Sequence, residues 1–223
     1  MCGKYILAQA AKAERAMGIR RGHWEYPVSY RVLPTEQVPV VVQREGEREA
    51  TQMRWGLVPW WARGVPLKAS TINATVERLD SAPSYRDAWR RGQRCIFVMG
   101  GFYEPHVNED GSRAQFFVQL AEREVFGVAG LWERSPRADG SYLSSCTLIT
   151  IPANALLMSV HNEKQRMPAI LAESGYDSWL SGPPQQARAL LRPYPDASMR
   201  AWKVSSRVNK AQLPNDERLI EPI

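Results

Sequence analysis

Apolar residues along this chain come mostly in short runs bounded by glycine, proline or charged positions, a spacing that suits strands better than long helices. Val28 to Leu33 and Val38 to Gln43 are β-rich runs split by Pro34-Thr35-Glu36, which predicts a hairpin-like pair. Residues 19–27 read as a loop, Glu45 to Glu49 as a charged turn, and Gln52 to Leu57 as a further strand. That strand runs into an aromatic, proline-broken loop, Trp55-Gly56-Leu57-Val58-Pro59-Trp60-Trp61. Arg94 to Met99 is a compact apolar strand ending at Gly100-Gly101. Runs at 115–120, 124–130, Tyr142 to Ile151 and Met199 to Ser205 predict four more.

Helical signals are fewer. Ile6 to Met17 is rich in alanine and other good helix formers, with Gly18 as a stop. Ser84 to Arg91 sets Tyr85 and Trp89 on one face at helical spacing. Short helices are also expected at Asn154 to Met158 and at 184–192. No internal repeat, low-complexity tract or linker-like break interrupts the chain. Many short strands without βαβ alternation predict an α+β fold on mostly antiparallel sheet with peripheral helices, as one domain over 1–223.

Composition narrows the function. Hydrophobic residues at 44% against 23% charged are enough to bury a proper core. Lys+Arg 29 against Asp+Glu 23 leaves +6, a mild lean toward a polyanionic partner. Cys2, Cys95 and Cys146 are odd in number and show no Cys-x-x-Cys spacing, which argues against a disulfide framework or zinc site and for a reducing compartment. Cys95 and Cys146 stand in apolar runs and read as core thiols. No apolar run approaches the ~18 residues that a membrane span needs, so no membrane partner is expected. Neither a Gly-rich phosphate loop, His-Glu-x-x-His nor Gly-x-Ser-x-Gly occurs, and no cofactor or metal is expected.

Candidate chemistry starts at Met1-Cys2-Gly3. Removal of Met1 would put a thiol and a free α-amine on one residue, a 1,2-aminothiol able to close a thiazolidine ring with an aldehyde. Taken alone, Met1-Cys2 favours the plainer reading, in which Cys2 is the second residue of a frayed terminus. Of His23, His106 and His161, the last follows an apolar strand and precedes Arg166-Met167-Pro168, a junction that suits a working residue or a plain loop histidine. Glu104 closes Gly101-Phe102-Tyr103-Glu104, where aromatic surroundings can raise a carboxyl pKa, or where a strand merely ends. Asn73, between Ile72 and Ala74, could orient a reacting group or satisfy a turn. Trp60 and Trp61 among prolines suit base stacking or closure over a core, and Trp55 suits the core.

Together these pieces resemble the SOS response-associated peptidase (SRAP) domain family, the abasic-site processing proteins, over nearly the whole chain. The motifs include Met1-Cys2-Gly3-Lys4, Leu33-Pro34-Thr35, Arg54-Trp55-Gly56-Leu57-Val58-Pro59 and Ile72-Asn73-Ala74 with Glu77. They continue through Tyr85-Arg86, Arg94-Cys95, Gly101-Phe102-Tyr103-Glu104, Ala129-Gly130-Leu131-Trp132-Glu133 and His161 with Arg166-Met167-Pro168. Val204-Ser205, Val208-Asn209 and Leu219-Ile220-Glu221-Pro222 complete them.

The resemblance implies a compact, barrel-like sheet fold with a groove for single-stranded DNA, and a covalent link to the abasic-site aldehyde. On this chain Cys2 would be the nucleophile, Glu104 and His161 would move protons, and Asn73 would hold Cys2 and the sugar. Trp60 and Trp61 would support bases, and Lys4, Arg86 and Arg166 phosphates. It further implies a cytoplasmic protein, nucleoid-associated when bound to DNA, and a monomer is expected. The same imine chemistry implies a lyase activity that cuts the strand by β-elimination. A cysteine peptidase acting on its own terminus and a non-catalytic single-strand binder are the alternatives. Three positions depart from the family pattern: Pro105 where a tryptophan is usual, Thr75 where an arginine is usual, and four residues, Asn162 to Gln165, between His161 and Arg166 where one is usual.

Overall fold

The computed structural model describes residues 2–223; the expectation about Met1 lies outside the described residues. In chain order the main elements are β1 (Tyr5–Leu7), α1 (Ala10–Met17), β2 (Ser29–Val32), β3 (Gln37–Arg44), β4 (Glu47–Trp55) and β5 (Asn73–Thr75). They continue with α2 (Arg86–Arg90), β6 (Arg94–Met99), β7 (Gly101–Val107), β8 (Arg113–Leu120), β9 (Phe126–Pro136), β10 (Tyr142–Pro152) and α3 (Ala155–Val160). Then follow β11 (Arg166–Pro168), β12 (Ile170–Leu171), α4 (Tyr176–Ser181), α5 (Pro184–Ala189) and β13 (Met199–Val204).

The strands form two sheets. β10, β4, β3, β6 and β9 close into a five-stranded barrel, because β10 pairs with β4 on one edge and with β9 on the other. The pairing is antiparallel except where β10 runs parallel to β4 and to β5. β6 is buried at every position, as an uninterrupted Cys95-Ile96-Phe97-Val98-Met99 run requires of a strand covered on both faces. β9 approaches β6 closely at its glycines: a Cβ at Gly130 would stand 2.7 Å from the Phe97 ring, and one at Gly127 2.6 Å from Ile96. The second sheet, ordered β13-β8-β7-β1-β2, is packed against the barrel through Tyr5, Leu7 and Phe102, which share its core. Its opposite face carries a smaller cluster of Tyr103, Phe117, Val204, Val208 and Leu219. The α+β architecture on mostly antiparallel sheet is thus observed, and it is a closed barrel. Among the described residues no helix is long and apolar enough to cross a membrane.

Four local expectations fail for tertiary reasons. The helix predicted from Ile6 begins only at Ala10, because Tyr5 and Leu7 are drawn into the core as β1, between β2 and β7. Gly18, at φ +62°, ends α1 as expected. The runs on either side of Pro34-Thr35-Glu36 do not pair with each other: β2 joins the open sheet and β3 the barrel. Thr35, at φ +77°, donates its N–H to the Trp55 carbonyl at that crossing. The real hairpin joins β3 to β4, where Glu45 and Gly46 both have positive φ, a two-residue turn that matches strand twist. Finally, the charged turn expected over Glu45 to Glu49 gives way to strand at Glu47, where β4 pairs with β3, and the expected helix over 184–192 stops at Ala189.

Candidate functional site

β7 carries Glu104. Side chains alternate across a strand, so with Tyr103 on the outer cluster Glu104 shares the inward side with Phe102. Its carboxyl is fully buried, and burial pushes its pKa up to about 7 against the pull of nearby positive charge, Lys4 and Lys164 included. Of the two expectations for Glu104, the raised pKa is the one observed: the residue lies mid-strand and without solvent access, and keeps its proton up to about pH 7.

His161 closes α3, whose N-terminus is capped by the Asn154 side chain accepting from Leu157 N–H at 2.9 Å. The imidazole is buried, and burial moves its pKa below the ordinary value. Its Nδ1 lies 3.0 Å from the Arg166 carbonyl oxygen and 3.5 Å from Glu104 Oε2. A carbonyl only accepts, which assigns the proton to Nδ1 and leaves Nε2 as the basic nitrogen. The three extra residues before Arg166 therefore leave His161 beside Glu104. Gln165 takes a left-handed conformation at φ +48° and donates its N–H back to the His161 carbonyl at 2.9 Å, so the extra residues form a closed turn.

Cys2 and Asn73 complete the cluster. β5 runs beside β10, with Asn73 opposite Leu148, and Tyr85 Oη donates to the Asn73 carbonyl at 3.1 Å. Asn73 Nδ2 donates to the Cys2 carbonyl oxygen at 2.8 Å, while its Oδ1 is buried with no protein partner. The Cys2 thiol is buried 3.7 Å from the Lys4 carbonyl. Burial, then the Glu104 charge, drives its pKa far above the usual thiol range, so it is protonated. Lys4 is half-buried, and burial lowers its pKa while the charges of Cys2 and Glu104 raise it. Cys95 and Cys146 are buried in the barrel, as expected of core thiols.

The expected DNA contacts fall into two groups. Arg166 adjoins the cluster through its carbonyl, but its guanidinium is held bidentately by Glu77 at 2.7 and 3.0 Å and donates to Thr150 O at 2.6 Å. Trp60, Trp61 and Arg86 lie together along the 83–87 segment. Trp60 Nε1 donates to Asp87 at 2.9 Å, Trp61 Nε1 reaches Pro83 O at 3.4 Å, and Arg86 stands 3.7 Å from Asp87. Both indoles are more than 40% exposed, whereas Trp55 is fully buried. With Arg63, Pro136 and Arg137 they line a cavity of about 500 Å³, and the Arg91 guanidinium sits 5.7 Å over the Trp60 ring. Tyr85 and Asp87 of one segment thus touch Asn73 and Trp60 respectively, linking cluster and aromatic face.

Sequence reasoning did not single out Arg91 or Asn162, and named Tyr85 for helical spacing and as part of a motif. Their roles depend on which strand or helix lies alongside. Pro105, another of the three departures from the family pattern, stands on the edge of β7 where Tyr103 donates to Lys4 O; a proline there leaves no N–H unpaired. Among the described residues no group of three or more His, Cys, Asp or Glu side chains is placed to hold a metal ion.

A family model described as SOS response associated peptidase (SRAP) matches residues 1–211, and the chain belongs to that family. Among named relatives, abasic site processing protein YoqW of Bacillus subtilis is 32% identical over 200 residues, covering 88% of this chain and 87% of its own. Abasic site processing protein HMCES of Gallus gallus is 28% identical over 268 residues, covering 99% and 77%. A solved structure from Bacteroides thetaiotaomicron superposes with TM-score 0.87 over 100% of both chains at 22% identity, a likeness of fold. One from Bordetella bronchiseptica gives TM-score 0.80 and 28% identity over 92% of this chain and 100% of its own.

Proposed function

We propose that this chain processes abasic sites in single-stranded DNA by forming a thiazolidine link between Cys2, once Met1 is removed, and the aldehyde of the opened sugar. The observation that carries the reading is the convergence of Cys2, Asn73, Glu104 and His161 in one buried cluster, with the Cys2 carbonyl held by Asn73 at 2.8 Å. The relatives' names point to the same substrate class.

The chemistry balances without a cofactor. An α-amine with a reference pKa of about 7.7–8.0 has a neutral fraction near pH 7. It adds to the aldehyde carbon, and the carbinolamine loses water when an acid protonates its hydroxyl. Glu104, near pH 7, is half protonated and can give that proton, then as carboxylate take one back. The Cys2 thiol then adds across the C=N bond: sulfur bonds to carbon, and the S–H proton ends on nitrogen. Water is the one product lost. Asn73 holds the Cys2 carbonyl, and its buried Oδ1 is an acceptor suited to a sugar hydroxyl. Burial that keeps the thiol protonated favours this order, amine first, and disfavours a peptidase reading that needs a ready thiolate. Trp60, Trp61, Lys4 and Arg86 supply a stacking and cationic path for the strand, with Arg166 presented beside it.

The experiment is a denaturing gel of protein mixed with an abasic single-stranded oligonucleotide. A shifted band is expected for the chain beginning at Cys2, and none for Cys2→Ala or for a chain that retains Met1, whose Cys2 nitrogen is an amide. No band for the native chain, or an undiminished one for Cys2→Ala, overturns the proposal.

A further inference from the structure

Glu104 and His161 are carried on separate elements, a strand and a helix end, so their 3.5 Å separation has to be held from outside the pair. β1 covers the edge of β7 only as far as Tyr103, whose N–H donates to Lys4 O at 3.0 Å. Backbone groups of alternate residues point to the same edge, so Pro105 and Val107 come next on it. Pro105 has no donor to leave bare. Val107 has both groups, and the Asn162 side chain takes them: Val107 N–H donates to Asn162 Oδ1 at 3.0 Å, and Asn162 Nδ2 donates to Val107 O at 2.8 Å. One amide thus occupies the place of a missing strand.

Asn162 directly follows His161, in the turn closed by Gln165. A second contact supports the same junction: His106 Nδ1 lies 3.1 Å from both the Ser159 and Val160 carbonyls, the residues just before His161. On the far side Glu163 pairs at 3.1 Å with Arg113, which stands opposite Val107 on β8, and both side chains are largely exposed. Val107 is three residues from Glu104, about 10 Å along the strand, so a bond at Val107 sets the approach of the turn to that end of β7.

We propose that Asn162 is a positioning residue: its two bonds to Val107 dock the His161 turn on β7 and so set the separation of His161 from Glu104. The proposal rests on the reading of that pair as acid and base. A misplacement of about 1 Å in such a constellation costs on the order of 100-fold in rate.

The test compares Asn162→Ala and Glu163→Ala with the native chain, using the initial rate of crosslinking to abasic single-stranded oligonucleotide, its pH profile, and the His161 imidazole titration by NMR. Asn162→Ala should crosslink roughly 10- to 100-fold more slowly, with binding to an intact oligonucleotide unchanged. Loosening the turn admits water to both groups, so the acid limb set by Glu104 should move to lower pH, and the His161 titration should move up toward about 6.5. Glu163→Ala, which removes the exposed pair with Arg113 and a charge that raises the His161 pKa, should match the native chain in rate and in the acid limb set by Glu104, and should move the His161 titration down, not up. A native rate, pH profile and titration in Asn162→Ala overturn the proposal; so do equal losses in both variants, or an unfolded Asn162→Ala, which makes the residue structural alone. Should the native chain form no crosslink, the proposed function fails by itself, and the His161 titration still decides the role of Asn162.

Discussion

Replacing Glu104 with glutamine should make the protein more stable at alkaline pH while slowing the proposed crosslinking. The carboxyl is fully buried, and burial raises its pKa from the ordinary 4.5 to about 7. A raised value in the folded state means that the folded chain holds this proton more tightly than the unfolded chain does. The stability it contributes is therefore fully present below pH 4.5 and is lost as pH rises through 7. At about 1.36 kcal/mol per pH unit, that gap corresponds to roughly 3 kcal/mol. Glutamine has the same shape and does not ionise, so Glu104→Gln should exceed the native chain by up to about 3 kcal/mol above pH 7 and match it near pH 4. The assay is urea unfolding of both proteins at several pH values between 4 and 9. His161, whose pKa is lowered by burial, contributes in the opposite sense, losing stability as pH falls, and it does so in both proteins. The difference between them at each pH therefore isolates Glu104. Crosslinking by Glu104→Gln should fall by about 100-fold or more, the usual contribution of a placed acid–base group. A stability difference that stays flat across this range, or a variant less stable than the native chain at pH 8, would refute the reasoning.

Two other perturbations probe different parts of the site. Asn73→Ala removes the donor to the buried Cys2 carbonyl and should cost about 1–3 kcal/mol in thermal or urea unfolding, with crosslinking reduced further than stability accounts for. Trp60→Ala and Trp61→Ala remove side chains that are more than 40% exposed, so the melting temperature should hardly move, while affinity for intact single-stranded DNA should weaken by about 1–3 kcal/mol per lost stacking contact, read by fluorescence anisotropy at fixed salt.

How much was legible beforehand differs between core and site. β6 could be read because an unbroken apolar run tells of burial on both faces. β1 could not, since Tyr5-Ile6-Leu7 leads without a break into good helix formers, and only pairing with β2 and β7 extends it. The Pro34-Thr35-Glu36 crossing looked like a hairpin because local signals do not say which sheet a strand enters. In the site, Cys2, Asn73, Glu104 and His161 were each individually weak, since a lone histidine or strand glutamate has an ordinary role more often than a chemical one. Asn162 carried no signal beyond its place next to His161, because its partners, the backbone groups of Val107, are available to any residue that reaches them.

By itself, then, the sequence determined the fold class, the family, the burial of Cys95 and Cys146 and the inventory of groups available for chemistry, all of which follow from residue type, order and periodicity. Tertiary structure alone decided their electrostatics. The ordinary carboxyl of Glu104 keeps its proton up to about pH 7 because barrel and sheet exclude water from it. The Cys2 thiol stays protonated for the same reason. His161 meets Glu104 because β7 and the end of α3, distant in sequence, are stitched together at Val107. Solvation and separation are properties of packing between elements, and no local pattern of residues encodes them.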